Sequence, residues 1–153
     1  MKNITICDDD PAQLEMMSEI VSDVVGPSAF IWSFSSPLEM IHDILDEKNV
    51  PDLLIIDFCM PELDGVKALR ILRGHGVESK AIFVSGFIDK IERQLVPSNN
   101  IVAVVDKAFG YKEFASKIRE AFDLCQEPAF VLEKESGHDH DTKVDTKFFR
   151  ALA

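Results

Sequence analysis

Asp8 and Asp9 follow the apolar run Ile4-Thr5-Ile6-Cys7, and Asp57 ends the run Leu53-Leu54-Ile55-Ile56. Ser85 follows Ala81-Ile82-Phe83-Val84, and Lys107 comes just after the run 101–105 and Asp106. If these runs are parallel strands of one sheet, their C-terminal tips share a rim, and groups distant in sequence converge there. Three carboxylates gathered on one rim repel each other, and a divalent cation relieves that repulsion. Oxygen donors without a histidine or cysteine set favour Mg²⁺ over zinc, with Mn²⁺ as a substitute. Lys107 and Ser85 add a fixed positive charge and a hydroxyl donor, which suits a tetrahedral anion with several charged oxygens. Together these groups form a phosphoryl-transfer set. The Asp57 carboxylate can attack phosphorus and form an acyl phosphate, while the metal and Lys107 neutralise the equatorial oxygens. No general base is needed, because a carboxylate is already ionised at neutral pH.

The elements that must position these groups alternate along the chain. Four large apolar residues in a row, Leu53–Ile56, read as a strand buried on both faces, and Pro61 and Gly65 force a turn after it. Asp10-Pro11 reads as an N-cap with proline at the first helical position, Gln13 can complete a capping box, and Leu14, Met17, Val21 and Val24 form a buried stripe. Gly26-Pro27 stops that helix. The run 30–34 is strand-like, and Ser36-Pro37 opens a second helix with Leu38, Ile41 and Leu45 inward. Asp64 caps a third helix carrying Val66, Leu69 and Leu72, closed by Gly74-His75-Gly76. Ile88, Ile91 and Leu95 suggest a short fourth helix, and Phe114, Ile118, Phe122 and Cys125 give a fifth its apolar face. Strand and helix alternate five times with short links, the pattern of an α/β domain: a parallel sheet with helices on both faces, three layers αβα. Periodicity does not fix the order of the strands.

A net charge of −11 argues against nucleic acid as a direct partner of this segment, since phosphate backbones need a basic face. No stretch is apolar for long enough to span a bilayer and no signal-peptide core opens the chain, so no membrane insertion and a cytoplasmic location are expected. Cys7, Cys59 and Cys125 have no metal spacing and read as reduced thiols. After Gln126 the pattern breaks. Residues 126–153 form a tail too short for a second domain, and no basic helix-turn-helix follows residue 125, which argues against direct transcriptional output within this chain.

Asp8-Asp9, Asp57, Ser85 and Lys107, each at a strand end and in that order, make the chain resemble a response-regulator receiver domain of two-component signalling, similar to the single-domain chemotaxis type. The resemblance covers about residues 1–125. It implies the flavodoxin-like, doubly wound fold with five strands in the order 2-1-3-4-5. It implies Asp57 as phosphoacceptor, Asp9 as a direct Mg²⁺ ligand with Asp8 acting mainly through water, and the backbone carbonyl of Cys59 in the metal shell. Ser85 stands where the family binds a phosphoryl oxygen, and Lys107 matches its lysine. The implied partners are a sensor histidine kinase or a histidine phosphotransfer protein, and a downstream protein docking on the fourth helix, fifth strand and fifth helix. Such a domain is a signalling switch rather than a metabolic enzyme; it assists its own phosphorylation and slowly hydrolyses its acyl phosphate.

The chain departs from the family's pattern at two places. The family follows its lysine with a cis proline, whereas Ala108 follows Lys107; a cis bond before alanine costs roughly 3 kcal/mol, so a trans peptide and a differently shaped loop are expected. The family's aromatic switch position holds Val104, so activation is expected to register in the Ser85 loop and the fourth helix. Phe87, two residues after Ser85, is expected to shield the acyl phosphate from water. These departures favour a second reading, a constitutive interaction module that keeps the fold without switching. A third is a haloacid-dehalogenase-type phosphatase, whose Asp-x-Asp start Asp8-Asp9-Asp10 mimics, although Ala12 departs from that motif and Asp57 would be idle. Other polar residues have simpler roles: Asp10 and Asp64 as caps, Cys59 as an incidental thiol, His42 and His75 as surface residues, and His138-Asp139-His140-Asp141 as a solvated turn rather than a metal tract. Phe148-Phe149 could pack on the domain, join a partner or begin an output module.

Overall fold

The strand that ends in Asp57 is buried at every position, as an uncharged apolar run must be when strands flank it on both sides and helices cover both faces. The computed structural model describes residues 1–86 and 100–127. The strands are β1 (Lys2–Cys7), β2 (Ala29–Phe34), β3 (Leu53–Asp57), β4 (Lys80–Ser85) and β5 (Ile101–Asp106). The helices are α1 (Pro11–Val25), α2 (Pro37–Leu45), α3 (Gly65–Gly74) and α4 (Gly110–Gln126); α4 is the helix expected fifth in the chain. All strands pair in parallel, in the order β2-β1-β3-β4-β5. One apolar layer joins α1 and α4 to the sheet through Val21, Ile55, Ile118 and Phe122. The other joins α2 and α3 through Met40, Ile44, Leu72 and Phe83. Each fully buried side chain of this kind contributes about 1.5–3 kcal/mol.

Local chemistry starts the helices where the caps lie. The Asp10 side chain accepts from the N–H of Ala12, Ser36 from Glu39 and Asp64 from Lys67, so each satisfies a donor with no partner inside its helix. Gln13 does not complete a capping box: the Asp10 N–H instead donates to Asp8 Oδ1 at 2.9 Å. The α1 stripe is Met17, Ile20, Val21 and Val25, with Leu14 and Val24 half-buried.

The expected inner face of α2 needs correction. Pro37, Met40 and Ile44 point inward, Ile41 and Leu45 pack at the margin, and Leu38 is 55 % exposed. Ser36 and Pro37 fix where the helix begins, and that phase turns positions 37, 40 and 44 to the sheet. The α3 stripe matches expectation, with Val66, Leu69 and Leu72 buried. So does that of α4, to which Ala121 is added. His42 and His75 are exposed. The expected fourth helix, Phe87 and the tail beyond residue 127 lie outside the described residues.

Between β4 and β5 the register slips. Ala81 faces Ile101 but Ile82 faces Ala103, leaving Val102 as an extra residue on β5. Beyond this bulge Val84 faces Val105 and Ser85 faces Asp106. The slip sets which residue of β5 reaches the rim opposite Ser85.

Candidate functional site

The site residues sit at or just beyond the C-terminal ends of their strands. The pairing continues one step past two strand ends, with Asp8 N–H donating to Phe34 O at 3.1 Å and Phe58 N–H to Val84 O at 3.0 Å. Those bonds hold the peptides around Asp8 and Asp57 rigidly at the rim. The following turn is closed by Gly65 N–H to Phe58 O at 2.9 Å, and anchored by buried Phe58 and Met60, whose sulfur lies 3.7 Å from that of Cys7. A Cβ at position 65 would stand 2.3 Å from the Asp57 carbonyl oxygen. Only glycine allows the start of α3 to pass so close to the end of β3.

The carboxylates of Asp8, Asp9 and Asp57 each bring an oxygen to within 4.8 Å of the others. Asp8 and Asp57 are buried and Asp9 is exposed. Lys107, ninety-nine residues beyond Asp8, places Nζ 2.9 Å from Asp8 Oδ2 and 3.3 Å from Asp57 Oδ1. Both Asp8 oxygens are therefore engaged, Oδ1 by the Asp10 N–H and Oδ2 by the ammonium. The Cys59 N–H reaches Asp57 Oδ1 at a long 3.4 Å, and its thiol side chain is exposed. Ser85 ends β4, one residue past the rung that pairs Asp57 with Val84, and is buried at the same rim.

One ammonium against three carboxylates leaves the cup negative. Burial, and then repulsion from Asp8, push the Asp57 carboxyl up from 3.8 to about 6, against the opposing pull of Lys107. Burial pulls Lys107 down, but Asp8 and Asp57 outweigh it and the ammonium is held above its ordinary value. Burial and the same acids drive the Cys7 thiol to about 12, which makes it an inert packing group. An all-oxygen donor set under this electrostatic load fits a hard divalent cation that keeps waters in its open positions.

The loop after β5 has the shape its sequence requires. No cis peptide occurs among the described residues. Lys107–Phe109 forms a short 3-10 turn in which the Ala108 N–H donates to Asp106 Oδ1 at 2.8 Å. Proline at 108 could not make that bond. Val104 pairs with Phe83 within the sheet, half-buried. Asp106 carried no sequence signal beyond its place at a strand end.

A parallel sheet of order 2-1-3-4-5 with acids just after β1 and at the end of β3 and a lysine after β5 defines a receiver domain of the flavodoxin-like kind. The family model for the response regulator receiver domain matches residues 4–119, and the chain belongs to that family, the receivers of two-component signalling. Among its relatives, the probable C4-dicarboxylate response regulator DctR of Bacillus subtilis is 28% identical over 134 residues, 81% of this chain and 58% of that protein. Response regulator protein TodT of Pseudomonas putida is 32% identical over 122 residues, 80% of this chain and 52% of that protein. The chain thus spans about half the length of the curated relatives it matches. A two-component transcriptional regulator from Clostridium phytofermentans superposes with a TM-score of 0.69 at 20% identity, covering 82% of this chain and 95% of that one. A CheY-like receiver domain protein from Methanospirillum hungatei does so at 0.64 and 21%, covering 82% and 96%. No helix among the described residues is long and apolar enough to cross a membrane.

Proposed function

We propose that this receiver accepts a phosphoryl group on Asp57 from a histidine kinase or histidine phosphotransfer protein, and that the acyl phosphate is the signal it passes on. The observation that carries this reading is the convergence on Asp57: an ammonium at 3.3 Å, and two further carboxylates with oxygens within 4.8 Å of its own. Asp8, Asp9, Asp57 and the Cys59 backbone carbonyl would hold Mg²⁺, with Asp8 acting mainly through water; Mn²⁺ suits the same donors. When bound, the metal supplies positive charge against the phosphoryl oxygens.

The protein's own residues do the rest. A carboxylate oxygen of Asp57 forms the bond to phosphorus as the bond to the donor nitrogen breaks. Lys107 neutralises charge on an equatorial oxygen, and the Ser85 hydroxyl donates to another. Lys107 is held by Asp8 before the phosphoryl group arrives, so little reorganisation is needed at transfer. Asp8 is poorly suited to be the nucleophile, since both its oxygens already accept hydrogen bonds; this speaks against the phosphatase reading. Hydrolysis of the acyl phosphate by the same site is slow, and the domain acts as a switch in the cytoplasm. A downstream protein docks on the side formed by β5 and α4, and residues 1–125 act as the receiver, with 126–153 an appended tail. Val104 and the trans loop favour an activation route without the aromatic rotation, or, as the second reading, an interaction module that does not switch.

Mg²⁺-dependent labelling by acetyl phosphate, trapped with borohydride and mapped by mass spectrometry, tests the proposal. Wild type should carry the label on Asp57 and Asp57→Asn none. A label on Asp8, or none on wild type, would refute it. Beryllofluoride with Mg²⁺ separates the two readings, since a switch shifts resonances near Ser85 and an unswitching module does not.

A further inference from the structure

We propose that Asp106 is a positioning residue, whose carboxylate holds the turn that aims Lys107 at Asp57 and Asp8. The proposal rests on the function above and deepens it. Asp106 is the last residue of β5 and faces Ser85 across the final rung of the β4–β5 ladder. Its backbone is thus tied to the strand that delivers the hydroxyl. Its side chain reaches forward instead, Oδ1 accepting the Ala108 N–H at 2.8 Å from an extended backbone at φ −77, ψ 127. That closes an Asx turn around Lys107.

The turn matters because of what Lys107 must do. Its flexible four-carbon stem has to bring Nζ back over the rim to two carboxylates at the tips of different strands, at 2.9 and 3.3 Å. A long side chain keeps such an appointment only if its Cα is held still. A proline ring at position 108 would restrain the backbone covalently. Here position 108 is an exposed alanine, and the Asp106 hydrogen bond to its N–H supplies the restraint. The interaction is local and directional rather than ionic: the ammonium pairs with Asp8 and Asp57, not with its neighbour.

The test uses the full chain carrying Asp106→Ala or Asp106→Asn, each also combined with Lys107→Ala. The readouts are the rate of Asp57 labelling by acetyl phosphate with Mg²⁺, and the affinity for beryllofluoride by fluorine NMR, which stays measurable where labelling is slow. Asp106→Ala should lower both by about three- to tenfold, and by nothing in the Lys107→Ala background, because a residue acting through Lys107 loses its effect when the ammonium is gone. Asp106→Asn, whose amide oxygen can accept the same bond, should stay within about twofold of wild type. An unchanged Asp106→Ala overturns the proposal. So does an equal loss in both backgrounds, which marks general loosening, or an Asp106→Asn as impaired as Asp106→Ala, which marks charge. A wild type that takes no label on Asp57 refutes the proposed function itself, and is told apart by that.

Discussion

Replacing Asp57 by asparagine should make the metal-free protein more stable, and the gain should depend on pH. The carboxyl titrates at about 6 in the fold against 3.8 for an unperturbed group. The folded state therefore holds the proton more tightly than the unfolded chain, and stability falls as pH rises from about 4 to about 6, then levels off. Each tenfold difference in proton affinity between the two states is worth about 1.4 kcal/mol, so at pH 8 the ionised carboxylate costs roughly 3 kcal/mol, and near pH 5 roughly half of that. Asparagine has the shape of the neutral acid and removes most of this cost, less what its amide hydrogens lose beside the Lys107 ammonium. Urea unfolding followed by circular dichroism, with chelator present, should give a difference of about 1–3 kcal/mol at pH 8 that shrinks toward pH 5. Millimolar Mg²⁺ should narrow it further, because the cation binds the native wild type and not its unfolded chain. A difference that is absent, reversed or constant across pH would mean that the cup is not electrostatically loaded, and the argument for a cation site would go with it.

Three further outcomes follow from the same geometry. Mg²⁺ affinity by calorimetry should be flat above the Asp57 titration and fall up to about tenfold per pH unit below about 6, as the cation competes with a proton; a profile flat from pH 5 to 8 would contradict this. Lys107→Met should slow Asp57 labelling by roughly 10²–10³ through loss of transition-state charge neutralisation, while tightening Mg²⁺ binding because a competing cation is gone; equal loss of both would point to collapse of the site instead. Gly65→Ala should destabilise the fold by about 1–3 kcal/mol and impair labelling, since its Cβ would meet the Asp57 carbonyl oxygen at 2.3 Å; unfolding and labelling measured on one sample check both, and a variant matching wild type would mean that β3 and α3 part without cost.

The parts legible in the sequence are those settled by neighbours along the chain. Asp10-Pro11, Ser36-Pro37 and Asp64 announced helix starts because a cap and its N–H partner are two or three residues apart. The run at 53–56 announced a doubly buried strand because no polar residue interrupts it. Strand order came with the family resemblance and agrees with the sheet. The inner face of α2 lies one residue out of phase with its expected stripe, since Leu38 and Met40 are both apolar and only the sheet beneath decides which is covered.

Residue types alone therefore determined which groups are candidates for chemistry: acids, a hydroxyl and a lysine, each delivered at the tip of an apolar strand. Tertiary structure decided how they meet. That Lys107 bonds Asp8 more closely than Asp57, that the Asp10 N–H turns to Asp8 instead of Gln13, and that a bulge at Val102 sets Asp106 opposite Ser85 all depend on contacts and register. Caps and apolar periodicity act over one helical turn and can be read locally. The rim is assembled from strand ends up to ninety-nine residues apart, and their positions follow from hydrogen-bond register and packing across the sheet, which no local pattern encodes.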